Sequence, residues 1–363
     1  MGEERAGPGS FRALAVLRAK EGELTALRQL RSGRFRQQFH AVQPLLRMDP
    51  GRPVDGDHID DLAGCAAAHA LGGRPVMIDA SDLDDPAATM RTFRDKMGML
   101  PDSCRFIPVV RATDPRSYVD LLGALADECD CGAALRYVVE HTPPGDITAA
   151  ITAAIAALRH EREAIDLIID VGYLPNRRTA RQRAEQVTAL VSSHPCLQGY
   201  RTTSVVAGSV PKSLRHVGRL RQVRHEEELW RGVATGSTRK DLRFGDFGVV
   251  HPVPPKRSGG RFTHSTLRYA VNGFWLFFRQ SIEDHLDEAT ACGEDGRTHT
   301  FRLISRELVA DTEEYFGPTF SWGDHQLASS ANGNGEKLGT TSTPVAFATS
   351  HHLAYLAERP LAA

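Results

Sequence analysis

Residues Ile165–Val171 read IDLIIDV, and a helical stretch over Thr179–Ser192 follows shortly after. A short β-branched apolar run between polar residues suits a strand buried on both faces, and the helix behind it marks a parallel crossover. The same unit recurs upstream. Strand-like runs at Ala13–Leu17, His40–Leu46, Pro75–Asp79, Arg105–Arg111 and Ala133–Val139 are each followed by a helical pattern. Those patterns cover Glu21–Leu30, Ile59–Leu71, Pro86–Met97, a helix opened by Pro115 and reaching Ala126, and Ile147–Arg159. Downstream, Thr202–Ala207 leads to a helix ending near Leu220, then to a helix at Glu226–Gly232 and an eighth strand at Phe247–His251. Eight such units in about 250 residues predict an α/β fold, a (β/α)8 TIM-barrel-like domain over residues 11–252. The alternative is an open parallel α/β sheet, whose dinucleotide-binding form carries GxGxxG after a strand; no strand here is followed by one.

Past Pro252 the alternation stops. Pro254–Gly260 (PPKRSGG) reads as a linker, Leu267–Arg279 (LRYAVNGFWLFFR) as aromatic-rich strand and Arg302–Tyr315 as helix. Ser321–Asp324 (SWGD) reads as a turn into a helix, and Ser329–Ser342 as a loop. Residues 261–363 are therefore expected to form an α+β extension packed on the barrel.

Hydrophobic residues make up 41% of the 363 and charged residues 25%, which excludes wholesale disorder, collagen and coiled coil. Forty-four Lys and Arg against 45 Asp and Glu give a net charge of -1, so bulk charge makes no case for a nucleic-acid or membrane-surface binder. No apolar run approaches the roughly 18 residues of a membrane helix. The charged start of the chain and six scattered cysteines suit a reducing cytoplasm. HExxH, paired CxxC, GxSxG and Walker motifs are absent, which removes their metalloprotease, zinc, hydrolase-elbow and P-loop chemistries.

In a barrel the reactive groups gather at the C-terminal ends of strands. Read in order, these are Lys20, Asp79, Arg111, Arg136, Glu140, Asp170, Ser209 and the pair Asp246 and His251. Cations and carboxylates on one rim suit an anion or phosphate, with a divalent metal ion as the cofactor such carboxylates could hold. Helix capping or ordinary ion pairing would place the same residue types there, and an Arg136–Asp170 pair is the structural reading of the two charges set in apolar runs. Glu23, in the first turn of a helix, reads as structural. Arg268, Tyr269, Trp275 and Arg279 interleave cations with aromatics, a mixture for stacking on bases or sugars or for covering a core. His351 and His352 are adjacent and would face opposite ways on a strand, a poor metal motif.

Six segments in order resemble the bacteriophage-type beta protein family. They are Val16–Leu30, Ile168–Leu174, Gly245–Pro252, Leu267–Arg279, Phe320–Asp324 and Ala348–Leu356. The resemblance carries no established activity. It implies a phage, prophage or bacterial anti-phage setting and matches at Lys20, Asp79, Asp170, Asp246, Arg268, Tyr269, Trp275, Asp324, His351 and His352. Arg47 departs from an acidic residue common among relatives, which counts against a metal site built on that carboxylate.

Two expectations follow. A phosphodiesterase- or nuclease-like hydrolase would use Asp79, Asp170, Asp246 and His351 for catalysis. It would hold a phosphate- or nucleotide-containing substrate with Lys20, Arg136, Arg268, Tyr269 and Trp275. A non-catalytic recognition module would instead present Arg268, Tyr269, Trp275, Trp322 and the histidines to a phage or host component, protein or nucleic acid.

Overall fold

The computed structural model describes residues 9–30, 36–49, 56–100, 105–140, 147–253, 263–334, 338 and 341–359. The expected linker at 254–260 and part of the loop expected at 329–342 lie outside them, as does Cys104. Eight parallel strands close into a barrel. In chain order they are β1 (Ala13–Leu17), β2 (Val42–Arg47), β3 (Met77–Asp79), β4 (Ile107–Arg111), β5 (Ala133–Val138), β6 (Ile165–Tyr173) and β7 (Thr202–Gly208). After β8 (Gly218–Val223), which lies outside the barrel, β9 (Leu242–Asp246) completes it. β9 pairs with β7 on one side and with β1 on the other, Ala13 opposite Phe244 and Ala15 opposite Asp246. Closure rules out the open sheet.

The strands form where they do because both faces are dry. All five residues of β1 and the first seven of β6 are buried, so one face packs the barrel interior and the other meets the helices. Those helices are α1 (Glu21–Leu30), α2 (Arg36–Ala41), α3 (Gly56–Leu71), α4 (Pro86–Gly98), α5 (Arg116–Cys129), α6 (Ile147–Leu158), α7 (Arg177–Ser193) and α8 (His225–Gly236). Local chemistry sets their starts. Asp85 caps α4 through the Ala88 N–H with Pro86 behind it, and Asn176 caps α7 through Thr179.

Two expectations are corrected in this half. The stretch expected as helix up to Leu220 ends in strand β8, which pairs antiparallel with a C-terminal strand. Its arginines explain why an edge strand tolerates the position: Arg219 and Arg221 lie over the rings of Phe278 and Phe274, and charge on an edge deters further pairing. The eighth barrel strand is Leu242–Asp246 rather than Phe247–His251. Asp246 Oδ1 accepts the Gly248 N–H at 3.0 Å and Gly248 takes a φ of +60°, so the chain turns where a continuing strand was expected.

The C-terminal part contains β10 (His264–Val271), β11 (Phe274–Ser281), α9 (Leu286–Ala291), α10 (Gly296–Ala310), α11 (Trp322–Ala331) and α12 (Ser342–Glu358). The run expected as one strand is a hairpin turning at Asn272–Gly273, where Gly273 has a φ of +74°. β8, β11 and β10 make a three-stranded sheet with β11 central. α10 starts earlier than Arg302 because Asp295 caps it through Thr298. Ser321 caps α11. Trp275, Phe277, Phe301 and Leu327 centre a second core, while Leu353 and Leu356 of α12 enter the barrel's own core. α12 thus packs on both bodies of structure, and small residues permit it. A Cβ at Gly22 would fall 2.5 Å from the Ser342 carbonyl oxygen, and one at Gly323 would fall 2.1 Å from that of Phe347.

Candidate functional site

At the C-terminal ends of β2 to β6 a ring of paired arginines and aspartates crosses the barrel mouth. Register puts Arg47 opposite Asp79, Arg111 opposite Arg136, and Val138 opposite Asp170. Arg136 donates from Nε to Asp170 Oδ2 at 2.9 Å and from Nη1 to Asp79. Arg111 Nη1 donates to Asp82 at 2.7 Å, and its Nη2 lies 3.5 Å from Asp79. Arg47 Nε reaches the other oxygen of Asp82 at 2.6 Å. Burial alone would raise the Asp79 carboxyl, but Arg136 and Arg111 outweigh it and hold it below the usual carboxylate range. Asp82 is likewise held well below that range by Arg111 and Arg47 against its burial. Asp170 does double service. Its Oδ1 accepts the Gly172 N–H at 2.8 Å, fixing a bulge where Gly172 adopts a φ of +76°. A cavity of 410 Å³ opens over this ring, lined by Arg47, Asp82, Arg111, Arg136, Asp170 and Tyr173.

Three residues separate that cavity from a second one. The segment 251–253 is held by Arg18, which donates to the carbonyls of His251 and Val253, and by Arg47, which donates to Pro252 at 2.9 Å. On its far side lies a cavity of 340 Å³ lined by Arg18, Lys20, Glu23, Lys212, His251 and Arg268. The start of α1 (Glu21, Gly22) and the start of α12 (Ser342, Val345) also border it. Lys20 is paired with Asp49 at 2.8 Å and stays 44% exposed.

Arg268 is different. Among the described residues no carboxylate pairs with it, and its Nε is enclosed without a hydrogen-bond partner. Burial first, and then the neighbouring Arg18 charge, push its guanidinium down to about 10. Glu23 is the complementary oddity. Its Oε2 accepts the Arg18 and Lys20 N–H groups at 3.0 and 3.3 Å, the reach-back of a helix first-turn carboxylate. Its Oε1 is buried without a partner among the described residues, and burial outweighs those hydrogen bonds and raises the carboxyl.

The remaining expected site residues lie elsewhere, in the wall between the two cores. Asp246 is buried between His352 at 2.9 Å and Arg224 at 2.8 Å, and these partners more than offset the burial that would raise its carboxyl. Arg224 also meets Glu226 at 2.9 Å and lies over the rings of Trp275 and Tyr355. Trp275 is fully buried with its Nε1–H on Glu226 at 2.9 Å. Tyr269 is fully buried with its hydroxyl on Asp324 at 2.7 Å and its ring stacked 3.6 Å from that of His351. His351 lies 2.9 Å from Asp324 through Nδ1 and 2.7 Å from the Ala270 carbonyl through Nε2. Both ring nitrogens are engaged, which fixes the ring between Asp324 and the β10 backbone. The histidines sit on a helix, where adjacent residues diverge by about 100°, which sends His352 to the barrel and His351 to the second core.

The structure therefore brings Asp79, Arg136 and Asp170 together in one cluster, and Lys20 and Arg268 around one cavity. It puts Asp246, Tyr269, Trp275 and His351 in packed walls. Arg18 and Asp82 complete the rim and were passed over in the sequence, and Glu23, expected to be structural, lines the same cavity as Lys20 and Arg268. Asp82 lies three residues beyond Asp79, and Arg18 directly follows β1, so position relative to a strand end was the available signal. Among the described residues no three His, Cys, Asp or Glu side chains converge as a metal site, and no helix is long and apolar enough to cross a membrane.

No curated protein matches the chain. The Beta protein family model matches residues 14–358, from the first barrel strand to the last residue of α12, and the chain belongs to that family.

Proposed function

We propose that the chain binds a phosphate-bearing small molecule in the 340 Å³ cavity at the barrel's C-terminal rim. One observation carries the reading: Arg268 is a cation set into a cavity beside a second cation, Arg18, and among the described residues no carboxylate pairs with it. An enclosed charge without a partner is costly, and a bound anion removes the cost. Lys20 and Lys212 add charge at the cavity edge, and guanidinium groups offer forked donors suited to phosphate oxygens. The ring around Arg136 supports the site from beneath: its carboxylates are saturated by arginines, which suits holding the mouth in shape better than taking protons. The test is calorimetric titration with inorganic phosphate and a nucleotide panel. Wild type should bind one or more of them, and Arg268→Leu should weaken that binding at least tenfold while leaving the unliganded fold intact. Equal binding by the variant would refute the site.

Hydrolysis is the second reading, favoured by Glu23. It lines the same cavity, its carboxyl is raised by burial, and Oε1 is free to carry a proton to a leaving oxygen. Release of nitrophenol from bis(nitrophenyl) phosphate, lost in Glu23→Gln with phosphate binding retained, would support it. Equal turnover by that variant would remove it. The phage or bacterial-conflict setting implied by the family resemblance fits a phosphate-bearing ligand, since nucleotides and nucleic acids are the phosphate esters at hand there.

A further inference from the structure

The opposite end of the barrel carries a cavity of 410 Å³ that the rim site does not use. It is bordered by the starts of β1 and β9 and by the last described residue of the chain, Arg359. Its charged lining is lopsided: Arg12, Arg239, Lys240, Arg243 and Arg359 face a single carboxylate, Asp241. Two of these cations are already spoken for. Arg239 is paired with Asp241, and Arg359 with Glu227 at 3.1 Å. Arg12, Lys240 and Arg243 have no carboxylate within ion-pair distance among the described residues. Arg243 is held in place all the same, over the Phe11 ring at 4.5 Å with a hydrogen bond to the Phe11 carbonyl.

Behind it stands Arg74, wholly buried, with Nη2 donating to the Ser10 and His40 carbonyls and Nε unpartnered among the described residues; burial and then the Arg243 charge push its guanidinium down to about 10 against the opposing charge of Asp166, which also acts on Arg243. Like charges brought together in a dry setting are what a face serving only stability would avoid. A second observation is independent of charge. Trp230 lines this cavity, is 5% exposed, and has a buried indole N–H with no acceptor among the described residues. Buried indole N–H groups normally find a partner. Excess cations and an orphan donor call for the same thing, an acceptor-rich anion, and the volume is that of a small-molecule site.

We propose that this cavity is a second binding site, for a phosphate-bearing ligand of nucleotide size that is bound through Arg243, Lys240 and the Trp230 indole. It is distinct from the rim site and does not depend on it. The experiment uses the full chain carrying Arg268→Leu, which silences the rim, titrated calorimetrically with inorganic pyrophosphate and with ADP. Tryptophan fluorescence is followed in parallel. Saturable binding of both probes is expected, with a change in emission that disappears in Trp230→Phe. Adding Arg243→Gln should weaken binding at least tenfold, the scale of one charge-assisted hydrogen bond. Lys240→Gln, at an exposed position that cannot disturb folding, should weaken it about threefold and flatten its salt dependence. No binding in the Arg268→Leu chain, or binding indifferent to both Arg243→Gln and Lys240→Gln, would overturn the proposal. ADP binding without pyrophosphate binding would overturn the charge-led recognition.

Discussion

Replacing Asp170 by Asn tests whether the ring at the barrel mouth is structural. The side chains of Asp170 and Arg136 are each 4% exposed, so water cannot compensate for a lost charge. Asn keeps the shape and can still accept the Gly172 N–H through Oδ1, so the bulge in β6 survives. What is lost is one of the two carboxylates that neutralise Arg136; Asp79 remains. Removing one partner of a buried pair costs about 3–5 kcal/mol when the survivor is stranded, and the retained Asp79 contact puts this case near 3 kcal/mol. In a chain of this size that is a fall in Tm of roughly 4 °C. Denaturant titration and thermal melts of wild type, Asp170→Asn, Arg136→Met and the double variant give a cycle, whose coupling should exceed about 1.5 kcal/mol. An Asp170→Asn chain within about 0.5 kcal/mol of wild type, with coupling near zero, would refute the reasoning and return Asp170 to the pool of chemically available carboxylates.

Glu23 has a folded carboxyl raised above its unfolded value, so its contribution is fully present below about pH 4 and is lost as pH rises through the folded value. Glu23→Gln should therefore gain on wild type as pH is raised from 4 to 8, and a stability difference that is flat with pH would contradict this. Asp79 and Asp246 shift the other way, so their contribution holds above about pH 4 and fails below it. Wild-type stability measured by urea titration should drop steeply on acidification from pH 4 to pH 2, and less steeply in Asp246→Asn. Gly323→Ala should cost about 3 kcal/mol because its methyl would strike the Phe347 backbone, whereas Gly64→Ala on α3, with open space around it, should gain about 0.5–1 kcal/mol. Equal Tm shifts for the two would refute the account of helix contact. Tyr269→Phe strands an oxygen of Asp324 and the Phe316 N–H and should cost about 2 kcal/mol in a denaturant titration.

The barrel was legible because its strands are buried on both faces, and such segments announce themselves as unbroken apolar runs. β6 was placed at its first residue and extended by only two. The failures share a cause. β8 has alternating arginines on an exposed edge, so it lacks apolar periodicity and gains its identity only from β11 beside it. β9 was misplaced because Phe247–Val250 is also apolar, and the carboxylate turn at Asp246 leaves no mark in hydropathy. The hairpin turn at Asn272–Gly273 was the one miss with a local signal in plain sight, an Asn-Gly pair between apolar runs.

Candidate site residues divide along the same line. Strand-end position finds a charged residue but not its partner, and the partner decides its role. Asp79, Asp170 and Asp246 look alike in sequence, each a carboxylate closing an apolar run, and each meets an arginine in the fold, Arg136 for the first two and Arg224 for the third. Arg268 and Arg243 look no different from the other arginines, yet among the described residues neither has a carboxylate within ion-pair distance, and each stands near a second arginine, Arg18 and Arg74. A net charge of -1 conceals this, because arginines and aspartates cancel over most of the chain. Cancellation in the total requires only equal numbers, whereas cancellation in space requires contact. In the cavities beside Arg268 and Arg243, at opposite ends of the barrel, cations outnumber carboxylates in the lining, and local excess charge is the condition under which an anion from solution stabilises the fold it binds.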